Sequence, residues 1–205
     1  MFSLDAKQFE LDLARHIWKG RVLKEPDNTR LTKSRCLLAG IYGKLLNSKW
    51  DYYSDDFKPK RILRDYADNL EKFRKSGEGL VLMGGSGKGK TFSSTLIAKE
   101  VIRRDGFPYF VRYSDLYKIM TDEDDENNQR IRLTPFLIVD DLGSGGTKST
   151  VAAMFEELLR GREINEVATI VSTNLSNDQL VECFGTACVR VLSDLCKTVN
   201  FDMGV

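Results

Sequence analysis

Eight residues, Gly84-Gly85-Ser86-Gly87-Lys88-Gly89-Lys90-Thr91, bring four glycines, two lysines and two hydroxyls together. They follow the apolar run Leu80-Val81-Leu82-Met83 directly. The spacing is G-x-x-x-x-G-K-[ST] without a gap, the pattern of a phosphate-binding loop between a strand and a helix. Glycines let the backbone turn tightly, so that successive N–H groups face phosphate oxygens. A helix beginning near Lys90 adds the positive end of its dipole. Gly84, Gly85, Ser86, Gly87, Lys88 and Gly89 therefore form the cradle, Lys88 through its backbone N–H alone. Lys90 reaches the β- and γ-phosphates, and the Thr91 hydroxyl binds Mg²⁺.

Such a loop needs an acidic partner on another strand. Phe136-Leu137-Ile138-Val139-Asp140-Asp141 supplies four apolar residues and then two carboxylates, with Asp140 50 residues after Lys90. In open α/β sheets ligands bind at the carboxyl ends of the strands. Asp140 is the candidate for the Mg²⁺ shell and Asp141 for polarising an attacking water. A third apolar run, Val167 to Val171, ends in Ser172-Thr173-Asn174. Asn174 can hold that water or touch the γ-phosphate, or it can simply begin the turn into Ser176.

The elements that must position these groups read as alternating strands and helices from Gly77 onward. Strands are predicted at 80–83, 109–113, 136–140, 167–172 and 198–201. Helices are predicted at 90–104, 115–120, 150–162, 177–184 and 187–197, and Ser176 with Gln179 fits a capping box. Five strands separated by helices predict an α/β fold with a parallel sheet covered on both faces. Ahead of this core the periodicity predicts a helix around Phe9, Leu13 and Ile17, a turn at 25–29, a second helix over 33–46 and a third over 60–75. An aromatic cluster, Trp50, Tyr52, Tyr53 and Phe57, lies between the last two. The acidic stretch 122–128 reads as a solvated loop.

Hydrophobic residues are 41% of the 205-residue chain, which argues for a packed core over disorder. No apolar run has the length of a membrane span, and no secretory leader begins the sequence, so a cytoplasmic protein is expected. Cys36, Cys183, Cys188 and Cys196 form no C-x-x-C pair and His16 is the single histidine, a composition that argues against zinc sites and disulfide frameworks. Residues 1–75 carry 17 Lys and Arg against 11 Asp and Glu, whereas residues 76–205 carry 14 against 19. A basic front on an acidic body points to nucleic acid, to an acidic partner, or to a solvated helical surface.

Taken in order and at this spacing, LVLMGGSGKGKT, FLIVDDLG and TIVSTNLS resemble the AAA+ ATPase core of DnaC/DnaI-type bacterial helicase loaders and IstB-type transposition helpers. The segments 49–57 and 110–116 resemble the same family, and the likeness spans about residues 47–201. It implies a P-loop AAA+ core over 47–205 without a C-terminal lid. The basic helical extension over 1–46 lies ahead of the likeness, and its amphipathic helices need a surface: a docked protein partner, or the chain's own acidic core. It implies ATP and Mg²⁺ as cofactors, Lys90 and Thr91 as Walker A, Asp140 and Asp141 as Walker B, and Asn174 as sensor 1. Arg190 matches the arginine finger that acts on a neighbouring subunit's ATP, shifted slightly in register, or it is a surface residue. Homo-oligomers with ATP at subunit interfaces are implied.

Loaders of this family bind single-stranded DNA near the helix after the second strand. Arg112, Tyr113 and Lys118, with Tyr109 and Tyr117 beside them, are of the types that stack on bases and pair with phosphates, or the tyrosines pack in the core and the cations are surface residues. The leading reading is thus an ATPase that binds single-stranded DNA and a replicative DnaB-type helicase. The alternatives are a transposition helper acting with a transposase on duplex DNA, a nucleotide-dependent adapter with little hydrolysis, and a small-molecule P-loop kinase. No Arg-rich lid supports the last of these.

Overall fold

A computed structural model describes residues 22–122, 126–144 and 149–202. The helix expected around Phe9, Leu13 and Ile17, and His16 with it, lies outside the described residues. Five strands build one sheet: β1 (Gly79–Met83), β2 (Pro108–Arg112), β3 (Phe136–Leu142), β4 (Ala168–Thr173) and β5 (Cys196–Asn200). Their order is β2-β3-β4-β1-β5, and every neighbouring pair is parallel. The helices are α1 (Lys33–Leu38), α2 (Lys58–Asp68), α3 (Leu70–Ser76), α4 (Lys90–Arg103), α5 (Tyr113–Thr121), α6 (Glu126–Leu133), α7 (Ser149–Ile164) and α8 (Asn177–Leu195).

Strand periodicity sorts the core into two layers. Leu80, Leu82, Phe136, Ile138 and Ile170 face one side, where they meet Leu63, Leu96, Ile97 and Val101. Val81, Leu137, Val139 and Val171 face the other and meet Leu116, Phe155, Leu158, Phe184 and Val191. Both faces are apolar, so the strands read as near-continuous hydrophobic runs. Among the described residues no helix is long and apolar enough to cross a membrane.

Four expectations need correction. The helix over 33–46 stops at Leu38, because Gly40 turns to φ +84° against β2. A Cβ at Gly40 would stand 2.2 Å from the Phe110 carbonyl oxygen. The Phe110 N–H donates to the Ala39 carbonyl at 2.7 Å. The turn sends Ile41 into the core at 0% exposure and leaves Leu38 68% exposed, so the two do not share a face. The helix over 60–75 divides at Asn69, whose side-chain amide folds back onto the Asp65 carbonyl at 2.8 Å. The stretch 122–128 is a loop only in part, because Glu126 already opens α6, which buries Ile131 and Leu133. The helices expected at 177–184 and 187–197 meet at Gly185, which is non-helical at φ 80° and ψ 158°, and 196–197 already belong to β5.

The division drawn at residue 47 leaves Cys36, Ala39 and Ile41 on the extension's side, and all three are buried in the same layer as Leu63 and Leu96. Residues 22–24 are also tied down: the Leu23 N–H donates to Glu71 at 3.0 Å and Lys24 pairs with Asp105 at 2.7 Å.

At the opposite end of the sheet from the strand tips, Arg162 is buried at 0% exposure. Its Nε donates to Thr169 Oγ1 at 2.8 Å, and its terminal nitrogens donate to the carbonyls of Ile131 (2.7 Å), Thr134 (3.1 Å) and Ala168 (2.6 Å). All four acceptors are neutral, and burial pushes its pKa down to about 9. One guanidinium thus joins α6, α7, β4 and the lead-in to β3. Only the planar fork can reach all of these at once. Arg162→Lys should lower stability by about 2–4 kcal/mol, since it strands at least one buried carbonyl. Urea unfolding with an unchanged m value checks this, and an unchanged midpoint would refute it.

Candidate functional site

The strand order sets β3, β4 and β1 side by side, so their carboxyl ends deliver all three sequence motifs to one place. Met83 is level with Thr173 across β1 and β4, and Leu142 with Thr173 across β3 and β4. The loop of residues 84–89 leaves β1 and enters α4 at Lys90. Gly89, at φ +92°, is the N-cap of α4, and a Cβ there would stand 3.0 Å from the Tyr53 hydroxyl. Ser86, Gly87 and Lys88 form the exposed crest of the loop, while Gly84 and Lys90 are buried.

Lys90 carries the site's central cation. Its ammonium donates to the Gly84 carbonyl, the Gly85 carbonyl and Asn174 Oδ1, each at 2.6 Å. Three donors meet three acceptors, and one acceptor comes from β4's tip across 84 residues of sequence. Burial lowers the Lys90 pKa from its usual value, and the charges of Asp141, Asp202 and Asp140 oppose that.

Asp140 is 4% exposed and its Oδ1 accepts from the Ser172 hydroxyl at 2.5 Å. Burial raises its pKa and the neighbouring Asp141 adds to the rise, while hydrogen bonds from Ser172 and Thr91 and the charge of Arg112 work against it. Thr91 and Asp140 thus offer two hard oxygen donors at the start of α4 and the end of β3. Asp141 is exposed and left-handed at φ 57°, where the β3 register against β4 shifts. Its N–H donates to the same Ser172 hydroxyl at 3.0 Å. A non-glycine residue in this conformation is strained and is held by its surroundings.

Among the expected site residues, Lys90, Thr91, Asp140, Asp141 and Asn174 come together. Arg190 does not join them: it is exposed on α8 beyond the Gly185 kink, with no hydrogen bond or ion pair among the described residues. Arg112 and Lys118 are exposed, and Arg112 is level with Asp140 across β2 and β3. Tyr113, expected to offer a base-stacking ring, is 3% exposed. Its ring packs edge-on against Phe155 and Phe184, so neither face is open to a base.

Three residues at the site escaped the motif reading. Ser172 sits in the apolar β4 run, where a hydroxyl at the start of the polar tip was the available signal. Tyr53 belongs to the aromatic cluster, yet no spacing rule tells that its hydroxyl donates to the Gly89 carbonyl at 2.9 Å and lies 2.5 Å from Ser93 Oγ. Burial pushes the Tyr53 phenol up to about 12, so it stays a donor. Asp202, just past β5, accepts from the Gly85 N–H at 3.1 Å and has no motif around it.

Comparison with known proteins agrees with this geometry. The family described as IstB-like ATP binding protein matches residues 28–194. The replicative helicase loader DnaI of Bacillus subtilis (strain 168) is 31% identical over 138 residues, covering 62% of this chain and 44% of that protein. The chain therefore spans less than half the length of that relative. The crystal structure of the DnaC helicase loader superposes with a TM-score of 0.69 at 21% identity, covering 78% of this chain and 99% of that one. The crystal structure of DnaI gives 0.60 at 23% identity, covering 72% and 86%. AMPPCP-bound DnaA from Aquifex aeolicus gives 0.61 at 13% identity, covering 75% and 50%. At these identities the structural likenesses establish the fold.

The Ser172 hydroxyl yields a pH-dependent test. Asp140's folded pKa is raised, so its buried charge costs stability above that pKa, and the cost is relieved as pH falls through it. Ser172→Ala removes a hydrogen bond that lowers the pKa and deepens the cost. The variant should be less stable by about 1–3 kcal/mol at neutral pH, and the deficit should shrink as acid protonates Asp140. Urea melts across that range check this, and a deficit that does not change with pH would refute the role assigned to Asp140's charge.

Proposed function

Since the chain belongs to the family of IstB-like ATP-binding proteins, we propose that it is a helicase-loader-like AAA+ ATPase. In this reading it binds single-stranded DNA and a replicative helicase of the DnaB type, and ATP controls the helicase's assembly on DNA in the cytoplasm. The observation that carries the ATPase is the Lys90 ammonium held between the phosphate-loop carbonyls and Asn174 Oδ1. That ammonium would meet the terminal phosphates beside Asn174 at the tip of β4, where the charges of Asp140 and Asp141 also act on it.

The residues present fit Mg-ATP. Bound ATP supplies the phosphoanhydride bond, and Mg²⁺ neutralises its charge. The loop amides between Gly84 and Lys90 would hold the phosphates, and the Lys90 ammonium would supply the cation facing them. Among the described residues no group of three or more His, Cys, Asp or Glu could hold a metal. The Thr91 hydroxyl and Asp140 suit instead a cation that shares its shell with phosphates and water. Asp141, held outward by its left-handed backbone, orients and polarises water. Asn174 steadies that water or the γ-phosphate, and Arg190, exposed and unpaired among the described residues, acts on a neighbouring copy's ATP.

Arg112 and Lys118 are the remaining candidates for nucleic-acid phosphates. Within residues 1–46 the helicase docks on side chains that stand outside the core holding Cys36, Ala39 and Ile41. The exposure of Val22, Leu38 and Tyr42 supports this, three large apolar side chains that face solvent. A transposition helper acting with a transposase is the second reading, favoured by the IstB description of a family that matches 28–194.

ATP turnover with and without single-stranded DNA tests the enzyme. Lys90→Ala should lose tight Mg-ATP binding. Asp141→Asn should bind ATP and hydrolyse it far more slowly. Arg190→Ala should bind ATP normally and lose about 10³-fold or more in rate, and mixing it with Lys90→Ala should restore some turnover at shared interfaces. Wild-type rates in Asp141→Asn and Arg190→Ala would overturn the assignment. For docking, Leu38→Asp combined with Tyr42→Asp should abolish co-purification with a DnaB-type helicase while ATP affinity stays unchanged. Retained helicase, or capture of a transposase in its place, would remove that part of the reading.

A further inference from the structure

β4 ends in two consecutive hydroxyls with separate duties. Ser172 serves Asp140 and Asp141, and Thr173 serves Leu142 and Leu175. Thr173 is 0% exposed; its hydroxyl donates to the Leu142 carbonyl at 2.9 Å and accepts the Leu175 N–H at 3.1 Å. The first bond ties the tip of β4 to β3, where Leu142 is level with Thr173 and lies one residue past Asp141. The second closes a turn around Asn174, the hydroxyl to N–H(i+2) closure open to Ser and Thr. Helix α8 starts at once behind it. The Ser176 N–H donates to Gln179 Oε1 at 2.9 Å, and the Gln179 N–H donates to Ser176 Oγ at 3.3 Å. Asn174 is thus an exposed residue between two anchored flanks.

The turn presents a side-chain amide of fixed sense. An ammonium has donors only, so the oxygen of the Asn174 amide faces Lys90, and Oδ1 stands 2.6 Å from it. The amide nitrogen carries two further donors and has no hydrogen-bond partner among the described residues. Such donors suit a phosphate oxygen or a water. We propose that Thr173 is the positioning residue for Asn174: its hydroxyl sets the turn that aims this amide and keeps it in register with the β3 tip that carries Asp141. The role rests on reading Asn174 and Asp141 as the residues that serve the γ-phosphate and the attacking water. Fully buried, Thr173 acts through them and not on the nucleotide. Misplacing a reacting group by about 1 Å can cost ~10²-fold in rate. A loosened turn therefore slows the chemical step, while the loop amides and Lys90 still hold the nucleotide.

ATP turnover by the full chain, with single-stranded DNA present, reads this role. Thr173→Val keeps the shape and removes the hydroxyl, whereas Thr173→Ser keeps the hydroxyl. Thr173→Val should lower kcat about tenfold or more with KM little changed, and Thr173→Ser should run at the wild-type rate. Thr173→Cys, whose thiol is a weak donor, should slow as Thr173→Val does, and it repeats the comparison if Thr173→Val does not fold. Added to Asn174→Ala, Thr173→Val should cause no further loss, because the two residues act as a unit. In the nucleotide-free chain the side-chain amide resonances of Asn174, identified by their absence from Asn174→Ala, should move in Thr173→Val and stay in Thr173→Ser. A wild-type kcat in Thr173→Val or Thr173→Cys, a Thr173→Ser as slow as Thr173→Val, unmoved resonances, or losses that multiply in the double variant would each overturn the positioning role. A wild-type rate in Asn174→Ala would instead remove Asn174 from the site, and the role with it. A wild-type chain that turns over no ATP would remove the ATPase reading itself.

Discussion

The hydroxyl of Ser172 holds the site together. It donates to Asp140 at 2.5 Å and accepts the Asp141 N–H at 3.0 Å, so one side chain of β4 serves two successive residues of β3. A carboxylate as buried as Asp140 is costly unless it is hydrogen-bonded. A left-handed Asp141 is costly unless its surroundings hold it. The same oxygen answers both demands. Where it does so, the register between the strands slips by a bulge, and Asp141 turns out of the sheet while Asp140 stays in. Two adjacent carboxylates thereby acquire different environments and can take different roles.

Support for the phosphate loop comes from behind as well as from the sheet. Helix α4 carries the loop on its first turn, and the segment ahead of α2 grips that helix along its length. Tyr53 holds Gly89 at the N-terminus, the Lys99 ammonium donates to the carbonyls of Leu46 and Ser48 at 2.7 and 2.8 Å, and the Trp50 indole donates to Glu100 at 2.9 Å. Lys99 is buried, and its pKa is lowered first by that burial. Its charge is met by backbone dipoles, as that of Arg162 is met by three carbonyls and a hydroxyl. Polar side chains that reach main-chain oxygens thus fix the tilt of α4 at both ends.

Much of this was legible beforehand, for identifiable reasons. The five strands are long apolar runs with punctuated ends, and the parallel sheet follows from their alternation with helices. Lys90, Thr91, Asp140, Asp141 and Asn174 sit at strand tips or on a loop whose spacing carries its chemistry, so topology alone brings them together. Failures occurred where a single tertiary contact outvoted local pattern. Gly40 breaks a helical period because it lies against a neighbouring strand. Tyr113 looks like a surface aromatic in one dimension and is the keystone of a ring cluster in three. Ser172, Tyr53 and Asp202 act through contacts across 31, 36 and 117 residues of sequence, and no local window contains their partners. Arg190 stays outside the cluster because it lies on the exposed side of α8, beyond the Gly185 kink.

The segment Ala39-Gly40 has one more effect, on how the molecule meets others. β2 is an outer strand of the sheet, and outer strands present unpaired amides and carbonyls on which a foreign strand can grow. Here the Phe110 N–H is already taken by Ala39, and Gly40 presses against the Phe110 carbonyl with no room for a methyl group. A strand arriving at this border would have to peel the segment away and pull Ile41 out of the core with it. The border is therefore closed to sheet extension. Copies of this chain that associate in an ordered way must do so elsewhere than along β2, so this edge cannot seed runaway stacking.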